Sequence, residues 1–143
     1  MREIKFRGLS KKTKEWVYGY YVKANMDTHW IVQMNYLGQL LPFDTHEVIP
    51  ETVGQYRDLK DKNGVEIFEG DICKITYDIS SPNADKAQYC KATAIILYDD
   101  ERLCWFWSFW DQNKTVIDVD EYEVTTIVII GNVIENKELL EQK

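Results

Sequence analysis

The sequence predicts an all-β fold, either a sandwich of two sheets or an open barrel. About ten short strand-like runs are separated at even spacing by turn residues, a pattern typical of these folds. Aromatic side chains make up 13% of the chain, with five Trp and nine Tyr, and pleated sheets accommodate such side chains well. One short helix is predicted at the carboxy terminus. With 143 residues, the chain has the size of a single domain over residues 1–143.

The first third of the chain is predicted to form strands joined by polar connections. Residues 4–7 alternate apolar and basic side chains, which is typical of a strand with one face in water. Residues 15–22 are apolar on both faces, so we expect a central strand. Shorter strands are predicted over 29–34 and 46–49, and Pro50 ends the latter because proline cannot donate to a ladder.

Asn63 and Gly64 mark a tight hairpin turn. They lie between the strand-like runs 56–59 and 65–68, and an Asn-Gly pair supplies the positive φ angles of such a turn at little steric cost. A second turn over 69–71 begins the next strand.

Three more strands are predicted in the middle of the chain. Residues 72–77 alternate as a half-buried strand, and the polar segment 78–86 is a surface connection. A long strand over 87–98 turns through acidic residues into another strand over 102–110. The last two of these strands therefore form an aromatic hairpin.

The last part of the chain completes the sheets and adds the helix. Strands are predicted over 115–118 and 124–130, with a bulge or bend at residues 131–132. Asn136 is the expected N-cap of a helix over residues 137–142, which docks through one apolar edge.

Charge is distributed unevenly along the chain. The net charge is −7, yet residues 1–14 carry six basic side chains and one acid, whereas residues 97–123 carry eight acids and two bases. An acidic chain lacks the usual electrostatic footprint for a phosphate backbone, so nucleic acid is not the expected partner. The alternative is a small β-barrel nucleic-acid-binding protein that uses the basic patch of Arg2, Lys5, Arg7, Lys11, Lys12 and Lys14.

The cysteines indicate a reducing compartment. Cys73, Cys90 and Cys104 are odd in number and form no CxxC pair, and no apolar leader precedes them. The longest apolar run, residues 127–130, is far shorter than the ~20 residues that cross a bilayer. We therefore expect free thiols, a cytoplasmic protein and no membrane partner.

Five carboxylates lie close together in sequence and raise the alternative of a metal-dependent enzyme that uses acidic turn residues. Asp is favoured in turns because its side chain bonds nearby backbone, and Glu66 falls on a strand position that faces water. No histidine or cysteine pair has the short spacing of a zinc site, and no nucleotide-binding motif is present. We therefore expect structural roles, no catalytic residue, no metal and no cofactor. The five carboxylates are Glu51, Asp61, Glu66, Glu69 and Asp71.

The aromatic hairpin is the one candidate interaction surface. Its final strand is apolar on both faces, so either loops and the helix cover the second face or a partner does. Acidic residues flank the hairpin, which favours a protein over stacked bases. One face carries Leu103, Trp105, Trp107 and Phe109, and the possible interaction surface on the other consists of Phe106, Trp110 and Cys104.

Three segments carry a family resemblance. The first eight residues, MREIKFRG, precede VYG at residues 17–19; the block IPETVGQY at residues 49–56 continues through DKNG to IFEGDI at residues 67–72; and IGNVIENKELL lies at residues 130–140. In these segments the sequence resembles the YopX family of phage and prophage proteins. The resemblance implies a pseudobarrel of two mainly antiparallel sheets joined by many short turns, and no known activity. Asp58 stands where the family commonly has Gly.

These observations predict an accessory protein of a phage or prophage in the cytoplasm of a bacterial host. We expect it to be non-enzymatic and to bind protein, namely an unknown host or phage protein. We also expect a homo-oligomer.

Overall fold

The computed structural model describes residues 2–34, 40–110, 115–120 and 123–141, and within these ranges the chain is almost entirely β. The strands form two antiparallel sheets with the orders β4-β3-β2-β1-β5-β6 and β10-β9-β8-β7-β11, and within the described ranges neither closes into a barrel. The predicted fold class is confirmed. The elements are β1 (Phe6–Leu9), β2 (Trp16–Lys23), β3 (His29–Met34), β4 (Leu40–Val48), β5 (Gly54–Lys60), β6 (Glu66–Phe68), β7 (Asp71–Asp78), β8 (Tyr89–Asp99), β9 (Cys104–Trp110), β10 (Val116–Asp120), β11 (Val124–Asn132) and α1 (Glu138–Glu141), with a 3-10 turn at Pro50–Thr52.

The chain separates into two compact units. The first spans Met1–Asp58 and the second Leu59–Lys143, so β5 begins in one unit and ends in the other. The prediction of a single domain over residues 1–143 stays a prediction.

In the first unit, β2 lies between β1 and β3, as its two apolar faces predicted. One face of this sheet forms the buried side of the unit, where Ile31 and Val48 are fully buried. The strands approach closely at Gly19, because a Cβ there would lie 2.3 Å from the carbonyl oxygen of Val32. No other side chain fits this position.

The second unit is a four-stranded meander whose first strand, β7, also pairs with the last strand, β11. Its core is a cluster of inward-facing side chains from all of these strands, among them the fully buried Ile75, Ile96 and Trp107. The register of β11 shifts between Ile129 and Gly131, which confirms the predicted bulge.

Helix α1 is one turn long and contacts β8. Leu139 lies over the bulge, because a Cβ on Gly131 would come within 2.9 Å of its side chain. The predicted N-cap is wrong: the side-chain oxygen of Asn136 accepts the N–H of Asn132 at 3.2 Å, so it ties the bulge rather than the helix.

Two local predictions need correction, one about a turn and one about a strand face. Gly64 has a φ of +81°, but Asn63 is not among the residues with positive φ, so the turn needs only one left-handed residue. Leu103 does not share the inner face of β9: it lies before the strand with a φ of +54° and is 73% exposed.

Among the described residues, no helix has the length and apolarity to cross a membrane.

Candidate functional site

The second face of the first unit's sheet exposes a row of large apolar side chains on β2. Tyr18, Tyr20 and Val22 are 44%, 52% and 47% exposed. The register places Val32 opposite Tyr20 and Trp30 opposite Val22, so these five side chains share one face. We call Tyr18, Tyr20, Val22, Trp30 and Val32 the tyrosine face.

The opposite face of the same strands is the buried one, and it contains His29. There, the buried His29 is satisfied within the unit: its Nε2 donates to the carbonyl of Met26 at 3.0 Å, and its Nδ1 lies 2.5 Å from the hydroxyl of Tyr21. A carbonyl only accepts, so Nε2 carries the proton and Nδ1 accepts from Tyr21. His29 therefore has a structural role.

The two charged residues that the register places beside the tyrosine face are already engaged. Arg7, opposite Tyr18, is buried, and its guanidinium lies 4.7 Å from the ring centre of Trp16. Glu47, opposite Trp30, pairs with Lys11 at 2.8 Å. The face is thus apolar, and the two charged residues at its margin are either paired or buried.

The predicted basic patch is not a uniform positive surface. Arg7 and Lys11 are engaged as described, and Lys5 lies 3.5 Å from Glu3 and 4.9 Å from the ring centre of Tyr56. The other three members of the patch are exposed: Arg2, Lys12 and Lys14.

Most of the described aromatic side chains on β9 of the aromatic hairpin are buried. Trp105, Trp107 and Phe109 point into the core, as predicted, whereas Cys104 and Phe106 are half-buried. Trp110 ends β9, but its side chain lies outside the described residues.

Arg102 and α1 cover parts of the second face of the hairpin's sheet. The guanidinium of Arg102 lies 5.5 Å from the ring centre of Phe106 and 2.6 Å from the carboxylate of Asp99. The hydrogen bond from Arg102 lowers the pKa of Asp99. Ile72, on the second face, is fully buried, and α1 contacts the neighbouring β8.

Asp61 and Asp71 bond backbone in their turns, as predicted. Asp61 is buried, and its carboxylate accepts the N–H groups of Asn63 at 2.8 Å, Val65 at 3.0 Å and Ile129 at 3.1 Å. Asp71 accepts the N–H of Phe68 at 2.8 Å.

The remaining candidate acids and thiols do not converge. Glu66 is half-buried rather than open to water. Cys73 is buried in the core, and Cys90 lies opposite Tyr77 on neighbouring strands. Burial and the adjacent Cys90 raise the pKa of Tyr77. Across the described ranges, no three His, Cys, Asp or Glu residues are placed to hold a metal ion.

A cleft of about 940 Å³ lies in the second unit, between the end of β5, the start of β9 and the start of β11. Its apolar wall includes Leu59, Trp105 and Ile127, and Cys104 also lines it. Three basic and two acidic side chains form its charged lining: Lys60, Lys62, Arg102, Asp61 and Asp120.

Sequence reasoning missed the tyrosine face. The alternation of Trp16, Tyr18, Tyr20 and Val22 predicts a central strand, but it does not show whether a second layer covers this row of side chains. The signal for the face is the row of large apolar side chains itself.

Comparisons with known proteins agree with this architecture. A crystal structure of protein EF1440 from Enterococcus faecalis is similar to this chain, with a TM-score of 0.51 and 26% sequence identity over 98% of this chain and 99% of that one. No curated protein is significantly similar in sequence. The family profile described as YopX protein matches residues 5–141. The chain therefore belongs to the YopX family.

Proposed function

We propose that this chain is a non-enzymatic phage or prophage accessory protein of the bacterial cytoplasm, and that it binds protein by self-association through the tyrosine face. The observation that carries the proposal is the exposure of Tyr18, Tyr20 and Val22 side by side on a central strand. Contiguous exposed apolar patches on soluble proteins mark interaction sites, and Tyr and Trp are enriched in such interfaces.

The partner that fits this face best is a second copy of the chain. A two-fold interface brings the same patch of both copies together, so it must contain no uncompensated charge that would meet itself. The charges beside the tyrosine face do not conflict with this requirement, since Glu47 pairs with Lys11 and Arg7 is buried over the ring of Trp16, where it is not presented to a second copy.

The distribution of net charge supports the same partner. The first unit carries eight basic and seven acidic side chains, whereas the second carries nine basic and seventeen acidic ones. Two copies that meet through their first units therefore avoid most of the repulsion expected for a chain of net charge −7.

Sedimentation velocity from low to high micromolar concentration tests the proposal. Wild type is expected to form a dimer, and Tyr20→Lys to remain monomeric because its ammonium group would be buried against its own copy. Tyr89→Lys is the matched control, since Tyr89 is a 55% exposed tyrosine on β8 of the second unit, and it is expected to dimerise as wild type does.

Two results would contradict the proposal. One is a wild type that stays monomeric at high micromolar concentration. The other is a dimer that survives Tyr20→Lys but is lost in Phe106→Ala, which would move the interface to the surface predicted from the sequence.

The nucleic-acid alternative has less support. Lys5, Arg7 and Lys11 have partners within the first unit, so binding to phosphates would compete with existing contacts. A gel shift at physiological salt that Lys12→Ala with Lys14→Ala abolishes would favour that alternative instead.

A further inference from the structure

We propose that the cleft in the second unit binds a small organic anion with an aromatic body, such as an aryl carboxylate, sulfonate or phosphate ester. This inference concerns a different site from the tyrosine face and does not depend on self-association.

The size and apolar wall of the cleft suit an aromatic group. Its volume of about 940 Å³ lies near the upper end of small-molecule sites, which span roughly 300–1,000 Å³. Trp105 is held in place by an edge-to-face contact with Tyr98, with ring centres 5.0 Å apart. Leu59 and Ile127 extend this wall, so a planar ring has a rigid surface to pack on.

The charge of the lining selects an anion. Lys60, Lys62 and Arg102 all line the cleft, although the second unit as a whole has an excess of acids. Three of its nine basic side chains are thus gathered around one concavity.

The acids offset Arg102 but leave the two lysines without a paired carboxylate among the described residues of the lining. The carboxylate of Asp61 accepts three backbone N–H groups. Asp120 lies 3.7 Å from Arg102, which also pairs with Asp99. The ammonium groups of Lys60 and Lys62 are therefore the charges that an incoming ligand meets, and both side chains are exposed.

The test uses 8-anilinonaphthalene-1-sulfonate, whose aromatic rings and sulfonate match the proposed chemistry. Binding is followed by amide and indole NMR shifts. The expected shifts fall on the Trp105 indole and on the amides of Thr125 and Ile127. N-phenyl-1-naphthylamine has the same rings without the sulfonate, and we expect it to bind more weakly by about tenfold or more.

A pair of charge variants tests the role of the lysines. Lys60→Gln with Lys62→Gln is expected to weaken binding of the sulfonate by about tenfold. Lys74→Gln with Lys91→Gln removes the same two charges from exposed positions on β7 and β8 and is expected to leave the affinity unchanged.

Three outcomes would overturn the inference. The first is a set of shifts on Tyr18, Tyr20 and Val22 in place of the cleft. The second is equal affinity for the sulfonate and the neutral amine. The third is equal affinity in the two lysine variants. None of these results would affect the sedimentation test of self-association.

Discussion

At the scale of single residues, the carboxylate of Asp61 connects parts of the chain that are 68 residues apart. Two of its bonds close the turn at Asn63 and Val65, and the third holds the N–H of Ile129 on the edge strand β11. Lys62 adds a backbone bond to the carbonyl of Ile127 at 2.9 Å. The turn thus covers part of an apolar edge that would otherwise invite pairing with another chain.

We predict that Asp61→Asn destabilises the protein by about 1–3 kcal/mol, because one amide nitrogen would face a backbone donor in a buried place. Urea unfolding at neutral pH measures the change. Asp85→Asn, at an exposed position between β7 and β8, is the control and is expected to have no effect. Equal stability of the two variants would contradict this role for Asp61.

The same carboxylate gives a pH dependence. Burial acts to raise the pKa of Asp61, but the N–H donors of Ile129, Val65 and Asn63 together hold it below its ordinary value of 3.8. The depressed pKa stabilises the fold above pH 3.8, and this contribution is lost as pH falls through the folded-state pKa. The acid branch of the stability curve should therefore be shallower in Asp61→Asn than in wild type.

Asp58 occupies a left-handed conformation, with a φ of +58°. This geometry explains why glycine suits the position in the family that the sequence resembles. We predict that Asp58→Gly raises stability by about 0.5–1 kcal/mol, whereas Asp58→Ala does not, because a Cβ is strained at this φ. Thermal unfolding distinguishes the two, and a more stable Ala variant would contradict the account.

Most hydrogen bonds and turn conformations that involve residues close in sequence were predictable, whereas contacts between residues distant in sequence were not. The turn roles of Asp61 and Asp71, and the positive φ of Gly64, follow from short-range rules. The bond from Ile129 to Asp61 joins residues 68 apart, so only the fold brings its partners together. The Asn136 side chain is a local exception: its partner Asn132 is four residues away, but the donor comes from the bulge and not from the helix.

At the scale of elements, strand β9 shows how alternation sorts the aromatic side chains. Trp105, Trp107 and Phe109 enter the core, while Phe106 between them is half-buried. This assignment was predictable from the period of two. The burial of the second face was not predictable, because it depends on where Arg102 and α1 lie in the fold.

We predict that Trp107→Ala costs about 3–5 kcal/mol of stability, since it removes a fully buried side chain. Phe106→Ala should cost less, because Phe106 is only half-buried. Denaturant unfolding of both variants measures the difference. Equal losses would show that the second face of β9 is as well packed as the first.

Strand β2 is the element where the sequence pattern misled. Its position between β1 and β3 was predicted correctly, but being central within a sheet does not mean being covered on both faces. A single strand cannot report whether a second layer exists above it. Tyr18, Tyr20 and Val22 are therefore exposed although β2 is central in its sheet.

At the scale of the whole molecule, the two units differ in charge and in what they expose. The first unit is nearly balanced in charge and exposes the tyrosine face, whereas the second is acidic and contains the cleft. The fold class and the family were predictable from the sequence. The cleft was not predictable, because it combines residues from strands far apart along the chain, and the exposure of the tyrosine face was not, because the pattern of one strand does not show what covers it.

Isotope-filtered NMR on a mixture of labelled and unlabelled protein tests the central claim of self-association most directly. We predict intermolecular contacts from the methyl groups of Val22 and Val32 in one copy to the rings of Tyr18 and Tyr20 in the other, and their loss in Tyr20→Lys. Intermolecular contacts that instead involve Phe106, or a protein with none at high micromolar concentration, would contradict the tyrosine face as the interface.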